Sequence, residues 1–495
     1  MSTPRKSPRR PAIRTASAPA GVPGGHPADR PADDGIWSRV TRELADDLAV
    51  DALARDRAGK APFDEVARLQ EAGLPALLTA PRPDRRGADW RAACAVVREI
   101  SAADSSVGEL LAHHYVLSWT SRLFGPAEKS GTWREPDSGR EPDSGWRSGT
   151  RGRATGPARR SSTGRTTGPA GNSRTTGHAV GPTLDVRTAE ERWLLAGGVE
   201  PPRDETGPGL VLTPAEDGAG WILDGSRAFA SAVTVADRLV VGARTVGTGE
   251  LLVVLVDPAG PGVFTDGGAD RVGQRLSGAG TVTFDRVPVR PEDVLGALPH
   301  DEHAVAPFTT LAPPALRLLL AHVGLGIAEG ALAEARDLRR AGQAAPAPAG
   351  RPGGPTGADG SEPVGAGDDP YLLLAYGELA TAAHAAAAVV ERATDALAHG
   401  LRAARSLGAE ERADIAVLVA AAETVTGRAA VHITTRVLEL VDGTAGADVR
   451  TGGPGFDRFW RNARTLTAPT QAAHRLRDIG DHYLNGTHAR LTPLA

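Results

Sequence analysis

The chain has 495 residues, 41% of them hydrophobic, with 60 Gly, 38 Pro and a formal net charge of −4. Its length suggests about three domains, and the small net charge gives no global case for nucleic acid or an anionic membrane as a partner. A single cysteine, Cys94, excludes an internal disulfide framework and a cysteine-rich zinc site.

Gly and Pro exceed their ordinary shares of about 7% and 5%, which fits a folded chain carrying Gly/Pro-rich segments. Residues 1–35 are rich in Pro, Gly, Ala and Arg without apolar periodicity and predict a disordered tail. This basic stretch lacks the apolar core of a secretory signal, so a cytoplasmic protein is expected. No run of 18 apolar residues appears, and no spanning helix or membrane partner is expected.

Order begins near Ile36. Val40, Leu44, Leu48 and Leu53 recur at helical spacing, and a second helix follows Pro62 through Phe63, Val66 and Leu69. A third apolar pattern spans 89–124 and is broken by Ser-Ala-Ala-Asp-Ser-Ser at 101–106, completing a helical domain over 36–126. Residues 127–182 repeat REPDSG and continue as an Arg/Gly/Ser/Thr stretch, which predicts a disordered basic insert. It lacks the interleaved aromatics of a nucleic-acid binder, and nucleic acid is not expected as a partner.

From 183 to 300 short apolar runs at 210–214, 220–223, 238–243, 251–256, 262–265 and 280–284 alternate with Gly, Pro and Asp, without helices between them. That pattern predicts antiparallel hairpins. From 301 to 487 the chain reads as long Ala/Leu-rich helices over 314–340, 369–406, 409–440 and 454–486, with a flexible linker at 341–367. Helices of this length build bundles.

Generic motifs for chemistry are sparse. GxGxxG, the P-loop, GxSxG and HExxH are absent, and no metal site is expected. His113 and His114 are adjacent, so they point to different sides of a helix and cannot chelate one ion together. One packed and one exposed histidine is the simpler arrangement; the functional one puts a histidine in a cleft against the β domain.

Particular segments carry a resemblance. GSRAFASAVTVADRLVVGA at 225–243 and FDRVPV at 284–289 resemble the middle domain of the acyl-CoA dehydrogenase family. ISAADSSVGELLAHHYVLSW at 100–119, DDPYLLLAYGELA at 368–380 and GFDRFWRNART at 455–465 resemble its flavin-dependent monooxygenase branch, related to dibenzothiophene monooxygenase and sulfone-metabolism enzymes. The resemblance implies an α+β multidomain acyl-CoA dehydrogenase fold: an N-terminal helical domain, a middle antiparallel β-barrel domain and a C-terminal four-helix bundle. It implies FMN or FAD between β domain and bundle, a small-molecule substrate, a separate flavin reductase and a homo-oligomer, dimer or tetramer. Reduced flavin would react with O2 to a C4a-hydroperoxide that transfers oxygen to the substrate.

By the same resemblance, Ser231 stands where a hydroxyl reaches flavin N5, and Trp193 opens the strand that packs on the ring. His114 lies in the helix lining the substrate pocket. Arg458, Asn462 and Arg464 lie where the family holds cofactor and subunits. His114 and Ser231 are thus the candidate catalytic residues, and Trp193, Ser231, Arg458, Asn462 and Arg464 the candidate cofactor ligands. The chain departs from the pattern too. LTAPTQAAH at 466–474 lacks the base of the common dehydrogenases, and Leu466 and Pro469 occupy the branch's histidine positions, with His474 nearby. Gly197 replaces a polar residue after the tryptophan, and AGQAAPAPAG at 341–350 lacks a basic one. An acyl-CoA dehydrogenase with a relocated base, Glu329 or Glu423, and a non-catalytic partner subunit are the alternatives.

Overall fold

The structure is a computed structural model describing residues 34–80, 87–124, 183–199, 209–298 (without 217, 219, 269 and 270), 305–344, 369–442 and 455–487 (without 468). The expected basic insert, nearly all of the expected tail and most of the expected linker lie outside the described residues.

The N-terminal helices are α1 (Asp34–Ala49), α2 (Ala52–Ala58), α3 (Phe63–Glu71), α4 (Trp90–Ala103), α5 (Ser105–Ser118) and α6 (Thr120–Phe124). The break expected at 101–106 is Asp104. Its extended backbone ends α4, and its carboxylate caps α5 by accepting from the Ser106 and Val107 N–H groups at 3.1 and 3.4 Å. Arg55 fixes the same carboxylate at 2.9 Å and ties α2 to the cap.

A short helix α7 (Leu184–Glu191), where no helix is expected from the sequence, leads into the sheet. The strands are β1 (Leu195–Gly198), β2 (Val211–Pro214), β3 (Trp221–Phe229), β4 (Arg238–Thr245), β5 (Leu251–Val256), β6 (Val263–Asp266), β7 (Gly280–Val289) and β8 (Val294–Leu298). Their order is β6-β7-β3-β2-β4-β5-β8, with β1 added on β4. The expectation of a purely antiparallel barrel is corrected in two respects. β1 and β2 both pair with β4 in parallel, and among the described residues the strand path is open, ending at β6 and β8. Hairpin reasoning misses the parallel pairs because they join strands distant in sequence.

The run Leu251–Val256 is buried at every position. Its alternation is hidden because both faces are covered. Leu251, Val253 and Leu255 enter the core shared with the helices, whereas Leu252, Val254 and Val256 enter the core of the β domain. Each such side chain contributes about 1.5–3 kcal/mol through burial, so the sheet is fixed from both sides.

The C-terminal part contains α8 (Ala312–Ala344), α9 (Pro370–Ala403), α10 (Ala409–Asp442), α11 (Asp457–Leu466) and α12 (Pro469–Asn485). α8 extends into the expected linker, whose first four residues are helical. By length and mean hydropathy, three helices among the described residues are apolar enough to cross a membrane, which corrects the expectation drawn from unbroken apolar runs. In the fold, 78% of the apolar window in α8 is buried inside the protein, against 28% in α9. α8 is also the centre of the assembly, packing on α9 and α10 and, across its other face, on α4.

That last contact is backbone-close. A Cβ at Gly330 would lie 2.2 Å from the Ala102 carbonyl oxygen, and one at Gly326 2.5 Å from that of Arg98. Gly330→Ala therefore forces α4 and α8 apart. The expected loss is about 1–3 kcal/mol, as for overpacked cores, read as a lower thermal midpoint; an unchanged midpoint contradicts this packing.

Candidate active site

Where the three parts meet, the chain encloses a cavity of about 810 Å³. Its walls are one stripe of α5 and α6, the ends of β1 and β3, the first half of α8, the middle of α10, the end of α11 and Arg475 of α12. The α5–α6 stripe is His113, Val116, Leu117, Thr120 and Phe124, at spacings that keep them on one face. Apolar side chains such as Val199, Phe229, Leu316, Leu320 and Val431 line much of the rest.

The polar lining is cationic. Arg227, Arg317, Arg428, Arg464 and Arg475 face the cavity with a single carboxylate, Glu423, which accepts from Arg475 at 3.1 Å. Arg227 is buried on β3, where its guanidinium donates to the Gly198 carbonyl at 3.0 Å and lies over the Phe229 ring at 5.2 Å. The Thr426 hydroxyl is buried in the lining without a hydrogen-bond partner among the described residues. The lining therefore offers guanidinium donors and one unsatisfied hydroxyl.

The two adjacent histidines divide the work. His114 is fully buried and is not a lining residue. The Leu195 N–H donates to its Nδ1 at 3.0 Å, which leaves Nε2 carrying the proton that goes to the Pro75 carbonyl at 2.9 Å. Burial pushes its pKa down to about 4. It is a neutral bridge between α5, β1 and the turn at Pro75, so the structure moves the cavity-facing role from His114 to His113. His113 donates from Nδ1 to the Glu109 carbonyl at 3.0 Å, and its Nε2 is then the acceptor; burial lowers its pKa as well. One turn earlier, the Glu109 carboxyl is buried with one oxygen lacking a partner among the described residues. Burial raises its pKa to about 7, against a smaller opposing pull from Arg271.

The other sequence candidates scatter. Ser231 is buried with its hydroxyl donating to the Ser277 carbonyl at 3.3 Å, and it is not a lining residue. Trp193 also stands outside the lining, held between Arg238 at 4.6 Å and Arg187 at 5.3 Å. Arg458 is buried in an ion pair with Glu334 of α8 and lies over Phe459 at 4.1 Å. Asn462 is buried between Gln274, whose N–H it accepts at 2.7 Å, and Ser105, to which it donates at 2.9 Å. Arg464 alone of the set reaches the cavity.

Of the departures, Leu466 lines the cavity, Pro469 opens α12, and His474 is exposed and outside the lining. Gly197 has φ +120°, and a Cβ there would stand 2.2 Å from the Val240 carbonyl oxygen, so the β1–β4 pairing admits no side chain at this position. Sequence reasoning missed Arg227, Arg317, Arg428 and Thr426. Their available signal was arginine on otherwise small and apolar faces, Leu316-Arg317-Leu320-Gly324 on α8 and Gly427-Arg428-Val431 on α10.

The arrangement is that of a protein with a helical domain, a sheet and a helical bundle closing around one cation-rich cavity. No family model matches the chain. Dibenzothiophene monooxygenase of Rhodococcus erythropolis is 29% identical over 459 residues, covering 91% of this chain and 93% of that protein. The "Probable FMNH2-dependent monooxygenase SfnC" of Pseudomonas putida is 27% identical over 453 residues, 90% and 94% of the two chains. The FMN-bound structure of TdsC from Paenibacillus sp. A11-2 superposes with a TM-score of 0.70 at 26% identity, covering 93% of this chain and all of that one. Methanesulfinate monooxygenase MsuC of Pseudomonas fluorescens gives 0.69 at 26% identity, with 92% and 99% covered. Over about nine tenths of its length the chain is thus similar to flavin-dependent monooxygenases, in sequence and in fold.

Two outcomes follow for the helix that carries both histidines. His114→Ala leaves the Leu195 N–H and the Pro75 carbonyl buried without partners and should cost about 2–4 kcal/mol, measured as a drop in thermal midpoint with β1 amides losing hydrogen-exchange protection. For Glu109 the fold favours the protonated form, since its pKa rises from 4.5 to about 7. Its stabilising contribution is complete below about 4.5 and fades as pH climbs through 7. Glu109→Gln should flatten the fall in stability between about pH 4.5 and pH 7; an identical slope in variant and parent counts against a buried, protonated Glu109.

Proposed function

We propose that the protein is a flavin-dependent monooxygenase that uses reduced FMN and O2 on a small organic substrate. The observation that carries this reading is the large cavity at the junction of β1, β3, α8 and α10, in a chain whose structural neighbours over 93% of its length include an FMN-bound one. About 810 Å³ lies within the range of cofactor and ligand pockets, about 300–1,000 Å³. The lining also fits the group. Guanidinium forks match a phosphate, the buried Thr426 hydroxyl offers a hydrogen bond, and the apolar walls accept a flat ring.

When bound, reduced flavin supplies the activation of O2. The chain supplies the rest. Val116, Leu117, Phe124 and Phe229 exclude water from the reacting faces. Arg317, Arg428 and Arg464 hold anionic groups at the cavity wall. His113, fixed by the Glu109 carbonyl, keeps Nε2 available to accept a hydrogen bond or a proton from what the cavity holds. Reduced flavin arrives from a separate reductase in this reading, as the sequence shows no dinucleotide fingerprint.

Two finer points belong to the same proposal. FMN is preferred to FAD on the strength of the FMN-bound neighbour. The outer face of α9, with Tyr371, Leu373 and Leu374 83%, 60% and 73% exposed, is read as a contact between copies in a dimer or tetramer rather than a lipid-facing surface. The dehydrogenase alternative rests on Glu423, which lines the cavity in an ion pair with Arg475. Glu329 lies outside the lining and binds Arg98 at 2.8 Å.

The test is a titration with FMN, oxidised and photoreduced, followed by turnover with a flavin reductase and O2. The expected result is micromolar or tighter binding and substrate-dependent oxygen incorporation. A protein that takes up no flavin is a non-catalytic homologue, and anaerobic bleaching by an acyl-CoA establishes the dehydrogenase instead. His113→Leu should retain flavin but lower product yield about a hundredfold, within the usual range for a proton-handling group; equal yield removes His113 from the chemistry.

A further inference from the structure

A second cleft, of about 380 Å³, opens between α2, the loop at 271–275 and α11. None of its lining residues belongs to the cavity described above. We propose that this cleft is a second ligand site and that it takes a small oxyanion of the phosphate class. The inference is independent of the flavin reading.

The cleft is lined by Asp56, Arg57, Arg271, Arg275, Asp457 and Arg461, with two apolar side chains at its margin. Both carboxylates are committed to one cation. Arg461 binds Asp56 at 2.5 Å and Asp457 at 3.0 Å, and it spends a further donor on the Val272 carbonyl at 2.7 Å. Arg271 is held by neutral acceptors, the Ala230 carbonyl at 3.1 Å and the Ser277 hydroxyl at 2.7 Å. The carboxyl that feels its charge is Glu109, which is buried and outside the cleft.

Arg275 is the distinctive member. No hydrogen bond or ion pair engages its side chain among the described residues, and its Nε is buried without a partner. Its guanidinium lies against Gly59, where a Cβ would stand 3.1 Å from one terminal nitrogen. Gly59 ends α2 with φ +57° and its N–H on the Arg55 carbonyl. A residue with no side chain in a left-handed cap thus leaves the space that Arg275 occupies.

A buried, unsatisfied guanidinium donor is costly unless something outside the chain completes it. Its planar fork matches the oxygens of a phosphate in spacing and charge. The charges of Arg271 and Arg275, with no carboxylate of the cleft paired to either, call for an anion rather than a neutral or cationic ligand.

The test is calorimetric titration of the purified full-length chain with inorganic phosphate at pH 7, with ionic strength held constant by chloride. One saturable site with a sub-millimolar Kd is expected. Arg275→Gln should weaken it about tenfold or more, the loss of one charge-assisted contact, while FMN affinity stays as in the parent. Because the phosphate of FMN shares the chemistry, the titration is repeated with the flavin saturating. Undiminished phosphate binding supports a separate site, and abolished binding means that the anion sat in the main cavity and overturns the proposal. Heats equal to those of chloride, or Arg275→Gln binding like the parent, also overturn it. Crystals soaked in selenate give a check that needs no variant: an anomalous peak between Arg271 and Arg275 is expected, and its absence sinks the idea.

Discussion

The side-chain amide of Asn462 joins all three parts of the molecule. Its oxygen accepts the Gln274 N–H from the β domain, and its nitrogen donates to Ser105 at the start of α5. All three residues are buried, so each bond forms away from competing water and each would leave an unsatisfied group if broken. The preceding residue repeats the connection, where Arg461 reaches Asp56 of α2 and the carbonyl of Val272. A cavity that is a gap between separately packed layers has no shape of its own. This one is set by the spacing that Asn462 and Arg461 impose on α5, the 272–274 loop and α11.

α5 carries that spacing into the cavity. Its first turn is anchored by Asp104, which caps the helix and binds Arg55. Ten residues on, successive histidines about 100° apart on a 3.6-residue helix face opposite tasks. His114 receives the Leu195 N–H and fixes β1 against the helix, while His113 faces the cavity. Because His114 is kept neutral by burial, it bridges two backbone groups without bringing a charge into the core. The same burial holds Glu109 protonated up to about pH 7 beside the His113 anchor. The helix therefore delivers one ring nitrogen to a cavity whose cations come from the other elements.

Local features of this architecture were readable from the chain, and tertiary ones were not. The break at Asp104, the apolar run of β5 and the long helices α9 and α10 each depend on neighbouring residues, and their positions follow from spacing and capping. β1 and β8 were not recognised from pattern as strands of the sheet. Leu-Ala-Gly-Gly and Val-Leu-Gly-Ala-Leu contain glycines required by close backbone approach, Gly197 to Val240 and Gly296 to Phe124. The same limit governed the site. Arg458 and Arg464 are two turns of one helix apart at most, yet one is buried on Glu334 and the other faces the cavity. An arginine looks the same in sequence whether its partner is a carboxylate of the next helix or a ligand.

That distinction bears on how the arginines of this protein divide. Three of those on α4, α11 and α12, Arg98 on Glu329, Arg458 on Glu334 and Arg475 on Glu423, meet carboxylates along the seams between helices. Arg271 differs. It has one donor on the carbonyl of Ala230, and Ala230 is part of the cavity wall where β3 ends. The guanidinium thus stands between two hollows, facing the outer cleft while supporting the rim of the inner one. One side chain thus donates to the wall of one hollow and lines the other.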